Sequence, residues 1–353
     1  MVWNTFPKRL AVGVDIGTSS IKVVALSRNH RRSGLRGTVR YIGWCNIESN
    51  DGAEHVHPTH PQRNQAIRDA LRQVIAPIHR RLGRVIACIP GEKTISRQLT
   101  LGPDDLRSDE ELGALAFGAV RELVTDPDDG LSVDYVLDES TTPSRANGKL
   151  HVFACRKRLI DDLSAQFESA GIVLNAVEID ALSLARFYSH EHRDESSPEQ
   201  SSLSSKCLGM LSFDWGKGRL MVVEGARILL CRVLTTALPL GVLTASPESM
   251  GKIDALVLEI ERLLEQVCEA SGIEAPDSLM ICGEAGEDER FCREFEIALK
   301  RRLWVAKIDT PGQFAERFPA PDCIPGMNDD CPPGMGARYA LAMGLAMAGL
   351  ERR

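Results

Sequence analysis

Nowhere in the 353 residues do apolar side chains run on for the roughly 18 to 20 positions that cross a bilayer. The longest candidate, Tyr339–Leu350, is a short Ala- and Gly-rich run that reads as a buried helix. The opening residues up to Arg9 lack the apolar core of a signal peptide, so any membrane association is expected through a partner. Ten cysteines are present but no Cys-x-x-Cys, which argues against a zinc site or a disulfide framework. Cys88, Cys155 and Cys282 sit inside apolar runs, the usage of free buried thiols in a reducing, cytoplasmic compartment. Positive charge is not in excess: the net charge of −7 excludes direct nucleic-acid binding driven by phosphate neutralisation. Missing too are the Gly-x-x-x-x-Gly-Lys-Ser/Thr loop, Gly-x-Gly-x-x-Gly after a strand, Gly-x-Ser-x-Gly and His-Glu-x-x-His.

What is present is a globular balance, 43% hydrophobic and 26% charged, over enough chain for two domains. An internal repeat gives them their plan. Residues 10–26 and 208–225 each read as an apolar strand, an Asp-x-Gly turn and a second apolar strand, a hairpin signal. Laid together without gaps, Asp15 meets Asp214, Gly17 meets Gly216, and Val23-Val24 meets Val222-Val223.

The order of elements after each hairpin repeats as well. The second copy continues as strand Arg227–Leu234, a helix with Ser246 as N-cap and Pro247 first, strand Ser278–Cys282, helix Glu287–Arg301, strand Leu303–Asp309 and helix Gly334–Gly349. In the helix after Pro247, Ile253, Leu256, Val257, Ile260, Leu263, Leu264 and Val267 follow the spacing of one buried face. The first copy has strand Val39–Ile47, helix Pro61–Leu82 and strand Arg84–Ile89, then helix Leu159–Ala170, strand Ile172–Asp180 and helix Ala181–Ser189. Between Pro90 and Cys155 lies extra strand–helix–strand–strand material. The expected division is a first half at 1–91 and 156–189 with an inserted subdomain at 92–155, a polar linker at 190–206, and a second half at 207–350. Residues 310–333 form a long proline-containing loop.

Two hairpins facing each other across a cleft can hold a triphosphate from two sides. Gly17, Thr18, Ser19 and Ser20 offer a tight turn with backbone N–H groups and hydroxyls, the donors a phosphate needs. Asp15, acceptor-only when ionised, suits hydrated Mg²⁺ rather than phosphate, and Asp214 mirrors it. Asp180 stands before a short helix, where it either caps the N-terminus or positions a water or metal as a candidate catalytic group. Glu259 and Arg262, one helical turn apart, read either as base contacts or as a solvated pair. His55, His57 and His60 lie in a polar loop with no supporting ligands and read as loop.

The segment Val12–Leu26 resembles the first phosphate motif of the actin, heat-shock-70 and sugar-kinase superfamily. Further segments make the chain similar to the PilM/HofM family of type IV pilus assembly proteins. These are Arg84–Gly91 with Arg97–Leu101, Glu110-Glu111-Leu112, Val133-Asp134-Tyr135, Ala154–Lys157, Ala170-Gly171-Ile172, Ile179–Ala185, Leu279–Gly286 and Ala340–Leu350. The resemblance implies an α/β actin-like fold of duplicated ribonuclease-H-like halves with an inserted α+β subdomain. It implies ATP and Mg²⁺ as cofactors: Asp15, Gly17, Thr18, Ser19, Ser20 and Lys22 on one side, Asp214, Gly216, Lys217 and Gly218 on the other. Glu259, Arg262, Gly283, Glu284 and Ala285 would lie on the adenosine side, and Asp15 and Asp214 would hold the metal.

Two departures from the family pattern bear on this. Gly216-Lys217-Gly218-Arg219 stands where small and hydroxyl residues are usual, and Gly283-Glu284-Ala285-Gly286 lacks an adjacent Gly pair. Glu284 would repel a nucleotide and Lys217 would compensate, so weak or absent ATPase activity is expected. The implied role is assembly of a type IV pilus, or a related competence and DNA-uptake machine. The implied partner is the short cytosolic N-terminus of an inner-membrane PilN-like protein, which would recruit the chain peripherally to the inner membrane. Two rivals share the superfamily: a small-molecule, sugar-type kinase, and a filament-forming protein of the FtsA type, which usually ends in an amphipathic helix unlike Leu350–Arg353.

Overall fold

Apolar runs punctuated by turn residues build the β-sheets of this chain, seen in a computed structural model that describes residues 9–28, 37–47, 61–102, 108–124, 130–137, 148–191, 207–214, 217–236, 247–302, 307–309 and 336–351. The first run of elements is β1 (Leu10–Ile16), β2 (Ser20–Arg28), β3 (Gly37–Asn46), α1 (Pro61–Ile75), β4 (Leu82–Ile89), β5 (Thr94–Leu101), α2 (Asp109–Arg121), β6 (Leu131–Leu137), β7 (Gly148–Arg156), α3 (Lys157–Ser169), β8 (Ala176–Ile179) and α4 (Asp180–Glu191). The second is β9 (Cys207–Asp214), β10 (Lys217–Glu224), β11 (Arg227–Val233), α5 (Pro247–Ser271), β12 (Ser278–Gly283), α6 (Glu289–Arg302), β13 (Lys307–Asp309) and α7 (Gly336–Glu351). The histidines at 55, 57 and 60, Ser246, residues 192–206 and the loop 310–333 lie outside the described residues.

Two five-stranded sheets have the same strand order, β3-β2-β1-β4-β8 and β11-β10-β9-β12-β13. In each, an antiparallel hairpin meets a parallel strand delivered by a helical crossover. The alternation of side chains divides each sheet's core in two. Val12, Val14, Ile21, Val23 and Ala25 face an outer core shared with Ile67, Leu71 and Val74 of α1 and Phe167 of α3. Leu211, Phe213, Leu220 and Val222 face another, closed by Ile253, Leu256, Val257, Ile260, Leu264 and Val267 of α5 and by Phe291 and Phe295 of α6. The face expected for α5 is the one buried.

The opposite faces meet between the sheets around α4 and α7, where Ala11, Val24 and Leu26 join Met210, Met221, Leu184, Phe187, Tyr339 and Met343. Although α7 comes last in the chain, it packs against β1, β2 and β4 as well as β12. Its small residues permit this close approach. A Cβ on Gly344 would stand 2.0 Å from the Ser183 carbonyl oxygen of α4, and one on Gly13 of β1 would stand 2.0 Å from that of Ala342.

A three-stranded sheet, β5-β7-β6, carries α2 on one face, with Leu112, Ala116 and Val120 against Leu150, Val152 and Ala154. A capping box between Ser108 and Glu111 starts α2. Midway along it, a Cβ added at Gly118 would meet nothing within 4 Å. Gly118→Ala should therefore raise stability by up to about 1 kcal/mol, the helix-propensity difference, read as a higher urea midpoint.

Four boundaries differ from those expected. The α1 helix stops at Ile75 and a 3-10 turn runs over Ala76–Arg81, because Pro77 lacks the N–H an α-helix needs and its ring clashes with the preceding turn. The following strand accordingly starts at Leu82, not Arg84. The strand expected from Ile172 is only Ala176–Ile179; Asn175 precedes it, exchanging bonds with Val85 through its N–H and its side-chain oxygen. The α6 helix starts at Glu289 because the Asp288 carboxylate accepts from the N–H groups of Arg290 and Phe291 as an N-cap.

The gapless superposition of the two hairpins also fails. Asp15 pairs with Lys22 in the first, whereas Asp214 pairs with Lys217 in the second, around a much shorter turn. Strand register, not sequence position, is what the halves share: each aspartate stands opposite a lysine.

Candidate functional site

Between the sheets lies a cavity of about 70 Å³. Asp15 and Lys22 reach it from the first hairpin, Ser212 and Arg219 from the second, Cys88 and Cys282 from the central parallel strands, Asp180 from α4 and Arg338 from α7. Parity explains the first set. Asp15, Lys22 and Trp44 occupy one row across β1, β2 and β3, on the face turned inward. Lys22 Nζ lies 3.7 Å from Asp15 Oδ2, both side chains largely withdrawn from water. The guanidinium of Arg338 sits 5.7 Å above the half-exposed Trp44 ring and pairs with Glu287 at 2.7 Å.

The first turn is more occupied than its residue types suggest. The Gly17 N–H is spent on the Ser20 carbonyl, and the Ser19 carbonyl accepts from Ile47. Arg63 of α1 donates to the carbonyls of Gly17 and Thr18. Ser20 is buried, Thr18 is exposed, and Ser19 Oγ is a buried hydroxyl with no hydrogen-bond partner.

Asp180 is the node of the site. Its Oδ1 accepts from the N–H groups of Gly91 (2.8 Å) and Ala181 (2.7 Å), while Oδ2 pairs with Arg219 across the cavity. Its role is therefore wider than the helix cap read from the sequence: it joins α4, the root of the three-stranded sheet and the second hairpin. Burial raises its pKa from 3.8 to about 6, outweighing Arg219 and the two N–H donors. Burial works against the charge of Arg219 too, but Asp180 outweighs it and the guanidinium stays charged. Burial pushes the Cys282 thiol up to about 12, so it is no nucleophile at neutral pH.

Several expected site residues stand elsewhere. Glu259 accepts from the N–H and hydroxyl of Thr235 and the N–H of Thr236, clasping the chain after β11. Burial opposes its charge and these donors favour it, leaving its pKa lowered. Arg262 is exposed on α5, and neither residue lines the cavity. Ala285 is buried in the outer core of the second sheet, and Gly218 is required because a Cβ would strike the Phe213 ring. Gly283 does line the cavity; its φ of +81° and a Phe213 carbonyl 2.0 Å from any Cβ both demand glycine. Gly216 and the side chains of Asp214, Lys217 and Glu284 lie outside the described residues. Among the described residues no group of three or more His, Cys, Asp or Glu is placed to hold a metal ion.

Arg219, Ser212, Arg338, Cys88 and Cys282 were not singled out as site residues from sequence. Counting parity along β10 finds Arg219, since Leu220 and Val222 face the outer core. Arg338 had no local signal.

The family model for type IV pilus assembly protein PilM matches residues 13–232. The chain belongs to the PilM family. A solved PilM-PilN type IV pilus biogenesis complex matches with a TM-score of 0.66 at 15% identity, over 98% of this chain and 100% of that one. For a PilM-family member this fixes the fold as actin-like, with two α/β halves of duplicated topology. Lower similarity extends to the ethanolamine utilization protein EutJ from Carboxydothermus hydrogenoformans (TM-score 0.45, 13% identity, 98% and 91% covered). The polyphosphate/ATP-glucomannokinase from Arthrobacter sp. strain KM gives 0.44 at 11% identity, with 98% and 100% covered. At those scores neither says anything about the chemistry of this chain. No curated protein matches the sequence. Among the described residues of the PilM-family chain, no helix is long and apolar enough to cross a membrane.

Proposed function

We propose that this type IV pilus assembly protein binds ATP–Mg²⁺ between its two sheets and docks the short cytosolic N-terminal peptide of an inner-membrane PilN-like protein. Residues 92–155 would be the docking subdomain, and the partner would be the route to the membrane. The observation that carries the nucleotide reading is the pair of hairpins bordering one cavity, each with an aspartate in register with a lysine. The donor set suits a polyphosphate: Lys22, Arg219 and Arg338 line the cavity, and Ser19 Oγ near the first turn lacks a partner. Mg²⁺ would neutralise phosphate charge, with Asp15 and Asp214 holding its water shell. A pocket for a whole nucleotide needs roughly 300 Å³ or more, so the halves must part to admit the base and ribose.

No group in the cavity is placed as an evident base for water attack other than Asp180, which is committed to Arg219. Slow or absent hydrolysis follows from that. Calorimetry tests the site: wild type is expected to bind ATP–Mg²⁺, and Asp15→Ala to weaken ATP–Mg²⁺ about tenfold while changing metal-free ATP little. Equal losses with and without Mg²⁺ would remove the metal role. A synthetic peptide of the PilN-like N-terminus, titrated into the same protein, tests the partner.

A further inference from the structure

The pair between Arg219 and Asp180 spans the two halves of the molecule, and Asp180 is simultaneously bonded to the foot of a third body. Gly91 donates its N–H to Asp180 and begins the 3-10 turn that feeds β5. There is no slack at this junction. A Cβ on Gly91 would stand 2.8 Å from Cys231 Sγ of β11 and 3.2 Å from Asp180 Oδ1. The Cys231 thiol also donates to Glu92, so the root of the three-stranded sheet is wedged between Asp180 and the edge strand of the second sheet.

Arg219 is the movable member. Its side chain keeps 30% of its surface exposed, against 2% for Asp180. A guanidinium that faces both a carboxylate and an open cavity will exchange a single carboxylate for a polyphosphate, which offers more charge and more acceptors in bidentate geometry. Asp180 would then lose its counter-charge at a place where water cannot replace it, and its hold on Gly91 would change with it.

We infer that Arg219 is a phosphate ligand held in reserve on Asp180, and that its transfer to phosphate is read at Gly91 as a change at the root of the three-stranded sheet. This rests on the reading of the cavity as an ATP site and adds its regulation: occupancy of the cleft and the set of the docking subdomain become coupled through three named groups. Coupling of this kind is reciprocal. Whatever weakens the hold of Asp180 on Arg219 must tighten phosphate binding, and only while Arg219 is present.

The test is a double-mutant cycle on the full chain, with ATP–Mg²⁺ as the probe. Asp180→Asn keeps the oxygen that accepts from Gly91 and Ala181 and removes the charge. It should tighten ATP–Mg²⁺ about fivefold or more, Arg219→Met should weaken it about tenfold, and in the double variant the Asn substitution should have no effect. A second readout needs no variant at position 180: the Gly91 amide, slow to exchange in free wild type, should exchange faster with ATP–Mg²⁺ and should not respond in Arg219→Met. If wild type binds no ATP, the site reading falls and this inference with it. If wild type binds ATP but the Gly91 amide is unmoved, or Asp180→Asn binds no tighter, the inference alone is overturned.

Discussion

Gly13→Val should leave little native protein at 25 °C, although the position looks from its sequence neighbours like part of a phosphate motif. A Cβ there would lie 2.0 Å from the Ala342 carbonyl oxygen and 2.5 Å from the Ala346 nitrogen, both backbone atoms of α7. Neither can rotate away as a side chain would, so α7 must shift bodily against β1. Overpacking a core commonly costs about 1–3 kcal/mol when side chains can adjust. With backbone on the far side, about 3 kcal/mol or more is expected for Gly13→Ala. Valine adds two further methyl groups and should exceed much of the roughly 5–15 kcal/mol that holds a domain folded. Urea unfolding followed by circular dichroism checks this; a Gly13→Ala midpoint equal to wild type would show that α7 can slide.

The second large effect is a pH dependence. The folded-state pKa of Asp180, about 6, lies above its value of 3.8 in an unfolded chain, so the native protein holds this proton more tightly. The stability it contributes is complete below about pH 4 and is lost as pH rises through 6. A difference of about two pH units corresponds to at most about 3 kcal/mol. The charged and titratable neighbours acting on Asp180 are Arg219 of β10, Glu92 after β4, Cys88 of β4 and Cys231 of β11. Burial pushes both thiols up, and the guanidinium is charged throughout, so none of these three titrates between pH 4 and 7. Stability measured against pH should therefore fall from pH 4 to 7 more steeply in wild type than in Asp180→Asn. Parallel curves would show that Asp180 is ionised well below pH 6 in the native state.

The order of strands and helices was legible because each apolar run is bounded by residues that stop it, and because the buried face of α5 repeats at helical spacing. The duplication was legible for the same reason. Its register was not. Strands rich in Val, Leu and Met look alike when slid along each other, so a gapless match put Lys22 opposite Met221, while the hydrogen-bond ladder makes Lys217 its counterpart.

The cavity was legible only at its two hairpins. Arg338 arrives at the start of α7, far along the chain, and nothing local marks it. Glu259 was misplaced because a carboxylate on a helix looks equally suited to a base or to a turn. The structure gives it to the N–H groups of Thr235 and Thr236. Gly218 and Gly283 carry the glycine signature of a phosphate loop, yet each is demanded by Phe213.

The position of α7 has a consequence for synthesis. A ribosome makes the chain in order, and domains ordinarily fold as their residues emerge. Here the inward faces of β1 and β2, with Ala11, Val24 and Leu26, find their covering residues Ala342, Met343 and Ala346 only near the end of translation. Until then the first half is a nascent chain with one finished outer core and one bare apolar face. A transcript that stops before residue 336 would leave that face permanently uncovered. The cell would see such a product as a client for chaperones and proteases, not as half of a working protein.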